Sequence, residues 1–404
     1  MRLGARRRAG AFFWDMVMTT DNSELISQLR DTVKRVCADF PGEYWRKKDR
    51  ERQYPKEFVD ALTELGLLAS LIPEEYGGSG LPISVGTEIL MAIHEFGGNA
   101  GACHAQMYTM GTVLRHGSDE QKARYLPGIA DGALRLQAFG VTEPTAGTDT
   151  TSISTVAVRS GDGYIVNGQK VWTSRAEHSD LMILLARTTP KDQVEKRSDG
   201  LSVFLVDMRE AKQNGMTIKP IRTMINHSTT EIFFDDMPIP GDSLIGEEGK
   251  GFKYILSGMN AERILISGEC IGDARWFIKK ASDYARERHV FGRPIGQNQG
   301  IQFPIARAYA QTEAAELMLR KAAALYDRQE PCGSEANMAK MLASEASWAA
   351  ADICIQTFGG FGVAEEYDVE RKFREARLYQ IAPISTNLIL SYIAERELNL
   401  PRSY

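Results

Sequence analysis

The sequence predicts a segregated α+β chain of several domains, with helices at both ends and strands between them. Three observations predict it. Apolar residues recur at helical spacing up to about residue 131 and again beyond Gly251, whereas between these stretches they alternate. Helices, then strands, then helices read as separate layers, not as an alternating parallel sheet. A length of 404 residues also exceeds what one hydrophobic core serves. On this pattern the chain divides into an N-terminal extension over 1–19, a helical domain over 20–135, a β domain over 136–243 and a helical bundle over 244–404.

The elements follow in order. Asp21-x-x-Glu24 has the form of a capping box, and Leu25, Leu29 and Val33 make one stripe beyond it. Pro55 suits a helix start ahead of Phe58, Leu62 and Leu65, and Gly66 stops that helix. A glycine-rich loop over 76–80 precedes another apolar helix through Ile89 and Ile93. In the β domain, 163–166 and 169–172 flank Asn167-Gly168 and read as a hairpin. Further strands are expected over 181–186, 202–206, 216–221 and 231–234, with a solvated loop over 190–200. One very long helix is expected from Phe252 towards His289, and a last one over 385–398.

Composition removes several functions. A net charge of −5 disfavours nucleic acid or an anionic membrane as the main partner, because phosphate binding needs a basic field. No apolar run approaches the ~20 residues that cross a bilayer. The five cysteines lie far apart with no C-x-x-C pair, which fits reduced thiols in a reducing compartment: a bacterial cytoplasm or, alternatively, a mitochondrial matrix. The six histidines show no ligand spacing, so no metal site is expected. Residues 1–19 look superficially like a targeting segment and read equally well as residues upstream of the true start. A G-x-G-x-x-G after a strand is missing, which disfavours a nicotinamide-binding unit.

The segment Gln137-Ala-Phe-Gly-Val-Thr-Glu-Pro-Thr-Ala-Gly-Thr-Asp149 breaks from a short strand into a polar turn. Its main-chain amides, with Thr142 and Thr148, form a cradle of donors suited to a flavin edge or an acyl thioester. Alone it is also a passable surface loop. Four more segments follow: Asn167-Gly-Gln-Lys-Val-Trp-Thr-Ser174, Arg288-His-Val-Phe-Gly-Arg-Pro-Ile-Gly-Gln-Asn-Gln299, Gln356-Thr-Phe-Gly-Gly-Phe-Gly362 and Phe373-Arg-Glu-Ala-Arg377. In this order and spacing, over residues 20–398, the five resemble the signatures of the acyl-CoA dehydrogenases.

That resemblance implies a small β-barrel between two helical domains, FAD as cofactor and a homotetramer in which a neighbour completes each site. It implies removal of a proton at Cα and a hydride at Cβ of an acyl-CoA, with electrons passed to an electron-transferring flavoprotein. For the flavin it carries over Phe139, Val141, Thr142, Gly147, Thr148, Trp172 and Ser174, with Ser385 and Asn387 from the last helix. Arg288, Phe291, Gln299, Gln356, Gly359 and Gly360 are the residues expected to reach a neighbour's cofactor. Most relatives have threonine where Ser174 stands, and either keeps the hydroxyl.

The base departs from the common pattern. Many relatives place a glutamate just before the last helix, where this chain has Pro383, and no Asp or Glu lies between Tyr379 and Asn387. Isovaleryl-CoA and long-chain relatives carry the base in a Glu-Arg pair on the first long C-terminal helix, which Glu262-Arg263 matches. Glu262 is the expected base, Glu269 its rival seven residues on, and Arg263 a positioning cation. Thr148, Arg263 and Ile384 are expected at the substrate. Pro383 has no N–H for the thioester oxygen and suits a helix start, leaving the Ile384 amide as the nearest donor. The helix bearing His104, Met107 and Met110 is expected to line an acyl pocket for a short or branched chain. Two other readings stay open: an oxygen-using oxidase or monooxygenase on the same fold, and an inactive acyl-CoA- or flavin-binding homologue.

Overall fold

The computed structural model describes residues 20–402. The extension assigned to 1–19 lies outside the described residues, as does the side chain of Asp21. The N-terminal layer comprises α1 (Thr20–Asp39), α2 (Gly42–Glu51), α3 (Lys56–Glu64), α4 (Ile83–Glu95), α5 (His104–His116) and α6 (Asp119–Ala130). Asp21 is already inside α1, so it is not the residue preceding the helix that its capping pattern indicates. A capping box does open α6: Ser118 accepts from the Gln121 N–H at 3.2 Å and Gln121 accepts from the Ser118 N–H at 3.0 Å. Pro55 precedes α3 as expected. Every residue of α4 from Val85 to His94 is buried, which makes it a central helix and not an amphipathic one.

The middle region is one sheet of β1 (Leu136–Gly140), β2 (Val156–Ser160), β3 (Gly163–Ser174), β4 (Leu181–Arg187), β5 (Leu201–Asp207), β6 (Met216–Pro220), β7 (Thr229–Pro240) and β8 (Leu244–Ile245). A one-turn helix, α7 (Met208–Ala211), follows β5. The strand order is β6-β7-β3-β2-β4-β5-β8, with β1 added parallel to β4. β4 is buried along its length because it is covered on both faces: Leu181, Ile183 and Leu185 enter the core shared with the helices, while Met182, Leu184 and Ala186 enter the core of the β domain.

The expected hairpin at Asn167-Gly168 is corrected. Both residues lie inside the single strand β3, and the turn falls at residues 161–162 between β2 and β3. Gly168 sits at φ 147 where the register with β7 slips, and a Cβ there would stand 2.5 Å from the Thr155 hydroxyl. Asn167 donates across the slip to Asp236 at 2.9 Å. The glycine thus serves a bulge and a close approach, not a turn.

The C-terminal region holds α8 (Gly251–Glu287), α9 (Gln299–Asp327), α10 (Gly333–Phe358), α11 (Val369–Tyr379) and α12 (Thr386–Arg396). α8 packs against α4, α5, α9 and α10 and so crosses both helical regions. It approaches α4 so closely that a Cβ at Gly272 would meet the Met91 carbonyl at 2.2 Å. A small hairpin, β9 (His289–Val290) and β10 (Arg293–Pro294), leads from α8 to α9. Pro383 is not in the first turn of the last helix. That helix starts at Thr386 with Ser385 as its N-cap, whose hydroxyl accepts from the Leu388 N–H at 3.4 Å. No described helix is long and apolar enough to cross a membrane. The five cysteines are buried and unpaired, and the described residues contain no group of three or more His, Cys, Asp or Glu that could hold a metal.

Candidate active site

Glu262 projects from α8 towards α5 and is only 6 % exposed. Burial pushes its pKa up to about 7, against the lowering pull of Arg263 next to it, of a hydrogen bond from Tyr108 and of the more distant Arg175 and Lys340. Burial thus outweighs the surrounding cations. Arg263 is itself buried and donates to Asn260 at 2.9 Å. Tyr108 stands on α5 with its ring edge-on to Phe139 of β1, the ring centroids 6.1 Å apart. It therefore bridges the carboxylate and the first signature segment. Met107 and Met110, expected at the pocket, are buried in the main core.

Glu269, two turns further along α8, is fully buried and fully engaged. It accepts from His104 Nδ1 at 2.6 Å and from the Tyr379 hydroxyl at 2.7 Å. Burial alone would raise its pKa, but the two imidazoles and the tyrosine outweigh it and hold the carboxyl below its usual range. His94 also comes within 3.6 Å of Glu269. Its Nε2, however, faces the Ala100 N–H at 3.0 Å, and its Nδ1 donates to Asp273 at 2.9 Å. Asp273 in turn pairs with Lys372 at 2.7 Å. Glu269 thus anchors a buried polar chain linking α4, α5, α8 and α11.

The signature segments meet around the edge of the β domain. Phe139, Val141 and Thr142 are half-buried, and the carbonyl of Thr142 accepts the Val171 N–H at 2.9 Å, tying the turn to β3. Glu143 anchors that turn from below: it accepts from the Ser154 and Thr155 amides at 2.6 and 2.9 Å and pairs with buried Lys170 at 2.8 Å. Gly147 and Thr148 are exposed at the tip. Trp172 is 58 % exposed at φ 61, and Ser174 accepts from Asn226 at 2.8 Å. An exposed indole held in a left-handed backbone conformation costs of order 1–3 kcal/mol and gains nothing from the core. Together with the hydroxyl-bearing turn, it fits an aromatic cofactor with polar edges. These residues fit FAD.

The second expected set lies elsewhere on the chain. A surface cleft of about 610 Å³ is lined by Arg288, Thr357, Phe358, Gly359, Gly360 and Phe361 among others, and includes neither Glu262 nor Trp172. Phe291 is fully exposed at the hairpin tip, at φ 51, and Gln299 and Gln356 are also exposed. The cleft therefore gathers Arg288, Gly359 and Gly360 of the second set and none of the first. At the last helix Ser385 is occupied as a cap and Asn387 is exposed. Ile384 is buried with its carbonyl held by Lys340 Nζ at 2.8 Å, and its N–H makes no hydrogen bond among the described residues. Sequence reasoning missed Tyr108, Arg175, Lys340 and the Glu143–Lys170 pair. Each acts through a partner distant in sequence, which a single chain's pattern does not display.

Family models of the acyl-CoA dehydrogenases match three stretches: the N-terminal domain over 23–133, the middle domain over 138–237 and the C-terminal domain over 249–398. The chain is 35 % identical over 397 residues to the acyl-CoA dehydrogenase FadE12 of Mycobacterium tuberculosis, covering 95 % of this chain and 100 % of the relative. A glutaryl-coenzyme A dehydrogenase solved with glutaryl-CoA superposes with a TM-score of 0.87 at 29 % identity, covering 96 % and 97 % of the two chains. PigA solved with FAD and proline superposes with a TM-score of 0.87 at 25 % identity, covering 95 % and 100 %. With three domain models matched in order and homology along the whole of a relative, the chain belongs to the acyl-CoA dehydrogenase family and is an acyl-CoA dehydrogenase.

Proposed function

We propose that the chain dehydrogenates a short or branched acyl-CoA to the trans-2-enoyl-CoA, with Glu262 as the base. The observation that carries this reading is a buried carboxyl whose pKa is about 7, in a chain that lacks a carboxylate between Tyr379 and Asn387. The cofactor is FAD, which supplies the hydride acceptor when bound. Phe139, Val141, Thr142, Gly147, Thr148, Trp172 and Ser174 hold it, and Arg288, Phe291, Gln299, Gln356, Gly359 and Gly360 of a second copy complete the site in a homotetramer. A surface cleft that holds Arg288, Gly359 and Gly360 but no residue of the first set supports that assembly.

Glu262 takes the α-proton on its carboxylate, with the Tyr108 hydroxyl beside it favouring the ionised form. Arg263, Arg175 and Lys340 favour the ionised form of Glu262 and so keep part of it ready to take a proton near pH 7. Pro383 has no N–H, so the Ile384 amide, with its own carbonyl fixed by Lys340, is the donor to the thioester oxygen. Glu269 plays no part in proton removal, because its oxygens are already occupied. Electrons pass to an electron-transferring flavoprotein in a reducing, cytoplasmic setting.

The test is a panel of acyl-CoAs mixed anaerobically with the yellow holoprotein. Bleaching of the flavin with one enoyl-CoA formed per site is expected, and particle mass in solution should equal four chains. Stoichiometric peroxide in air would instead indicate an oxygen-using enzyme. No bleaching with any acyl-CoA would remove the dehydrogenase reading.

A further inference from the structure

The polar groups beside Glu262 exceed what proton removal needs. Arg175 is 5 % exposed, yet no carboxylate pairs with it among the described residues. Nη1 donates to the carbonyl of Gly101 just ahead of α5, while Nε is sealed off without a partner. Its main chain is held at φ 62 and its N–H is tied to the Ser228 carbonyl, so the side chain leaves the end of β3 in a fixed inward direction. Surface arginines in this chain pair with carboxylates, as Arg209 does with Asp207 and Arg374 with Asp49. A guanidinium buried without such a partner is expensive unless something else accepts from it.

Three residues beyond Gly101, His104 completes the same corner. Its Nδ1 faces Glu269 at 2.6 Å, which fixes the ring and turns Nε2 the other way. Nε2 makes no hydrogen bond among the described residues. One turn on, Tyr108 leads to Glu262. The charge of Arg175 acts on His104, Tyr108 and Glu262 alike, so the four groups share one neighbourhood. An aliphatic acyl chain offers nothing to Arg175 or His104.

We propose that Arg175 and His104 form a polar recognition site for the distal end of the acyl group, and that the preferred substrate carries an oxygen acceptor beyond Cβ. This rests on the dehydrogenase reading above and narrows its substrate class. A guanidinium is a donor only, so Arg175 takes an acceptor oxygen. His104 gives its Nδ1 hydrogen to Glu269 and in the neutral ring offers Nε2 as an acceptor. A hydroxyl therefore meets both groups, and an oxo or carboxylate oxygen meets Arg175 alone. With Nε sealed off and Nη1 already donating to Gly101, Nη2 is the main donor left for a substrate oxygen. Sites built to hydrogen-bond a substrate reject the analogue lacking that group far more strongly than apolar pockets reject an extra methylene.

The experiment compares sets of acyl-CoAs matched in chain length, from about four to eight heavy atoms, that end in methyl, hydroxyl or carboxylate. kcat/KM is measured with wild-type holoprotein, Arg175→Met and His104→Gln, and FAD content and melting temperature are recorded for each. At the best length the oxygen-bearing member should exceed its methyl counterpart by about 10²-fold or more in wild type. That ratio should fall at least tenfold in Arg175→Met. The hydroxyl and carboxylate arms identify which acceptor is taken. If methyl-ended chains match or beat the others at every length in wild type, the site is not a polar one, and that result does not depend on any variant folding. A wild-type preference that persists unchanged in both folded variants would equally overturn the assignment. Flavin reduction by methyl-ended chains without any preference would strike this inference alone, whereas no reduction by any acyl-CoA would strike the dehydrogenase reading itself.

Discussion

Glu262 and Glu269 are the same side chain on the same helix, on nearly the same face and about 10.5 Å apart along its axis. Both are buried. Glu262 meets a tyrosine hydroxyl, Arg263 beside it and two more distant cations, and burial outweighs them all, so its pKa rises to about 7. Glu269 meets His104 and Tyr379 at hydrogen-bond distance, so contacts dominate over burial and its pKa falls. Burial alone therefore does not make a base. What matters is burial with few partners, because a base must keep a lone pair free and a proton affinity near the working pH.

Replacing each carboxylate by its amide breaks the comparison most sharply. Glu262→Gln should retain FAD and lose substrate-dependent flavin reduction by the ~10²–10⁴-fold typical of a missing general base, read by anaerobic stopped flow. Its stability should move the other way. The folded pKa of Glu262 lies above its unfolded value, so its favourable contribution is present below about pH 4.5 and is lost as pH rises through about 7. At pH 8 the ionised carboxylate costs the fold about 3 kcal/mol, and the amide removes that cost. Denaturant unfolding at pH 8 should show Glu262→Gln at least as stable as wild type.

Glu269→Gln should do the reverse. Its folded pKa is depressed, so its contribution is present above the unfolded value and lost as pH falls through the folded one. Leaving the His104 and Tyr379 donors to share one amide oxygen should cost about 1–3 kcal/mol at pH 8. Molecules that stay folded should keep much more activity than Glu262→Gln. A stable, inactive Glu269→Gln beside an active Glu262→Gln would reverse the two roles.

Tyr108→Phe sharpens the contrast without removing a carboxylate. The tyrosine hydrogen bond lowers the Glu262 pKa, so its loss should raise it by about one unit, the worth of a hydrogen bond to a charged group. Flavin reduction should then be several-fold slower at pH 7 and close to wild type at pH 9. A purely structural role would lower the rate equally at every pH. The smallest effect is expected at Ser385→Ala, where loss of the helix cap should cost about 1 kcal/mol of stability in a urea melt.

Much of the fold and part of the site were legible in the chain itself. The change of apolar period marks the passage into and out of the sheet, and the long helix expected from Phe252 runs as Gly251–Glu287. Glu262-Arg263 could be named because a motif and a missing carboxylate pointed to one helix. The hairpin at Asn167-Gly168 could not be rejected from sequence, because a glycine in a turn and a glycine in a bulge have the same neighbours. Only Thr155, packed where a Cβ would stand, separates the two. Glu269 looked like a rival because spacing records the face of a helix and not what stands opposite it. Its partners come from positions 104 and 379, which only the fold brings together. Arg175 was invisible for the same reason: an arginine after a strand reads as a solvated charge until its side chain is seen to turn inward.

Central to the mechanism is Glu262 as a base whose proton affinity is set by burial. The most direct measurement is the second-order rate constant for flavin reduction in a single anaerobic turnover of wild-type holoprotein, followed from about pH 5.5 to 9 with acyl-CoA well below saturation, where the free enzyme's base is read. The rate should rise about tenfold per unit at low pH and level off above a midpoint near 7, the value burial sets for Glu262 before substrate binds. The midpoint should move upward in Tyr108→Phe and stay in place in any folded Glu269→Gln. A rate already level at the acid end of that range, or a midpoint that follows Glu269 and ignores Tyr108, would contradict it.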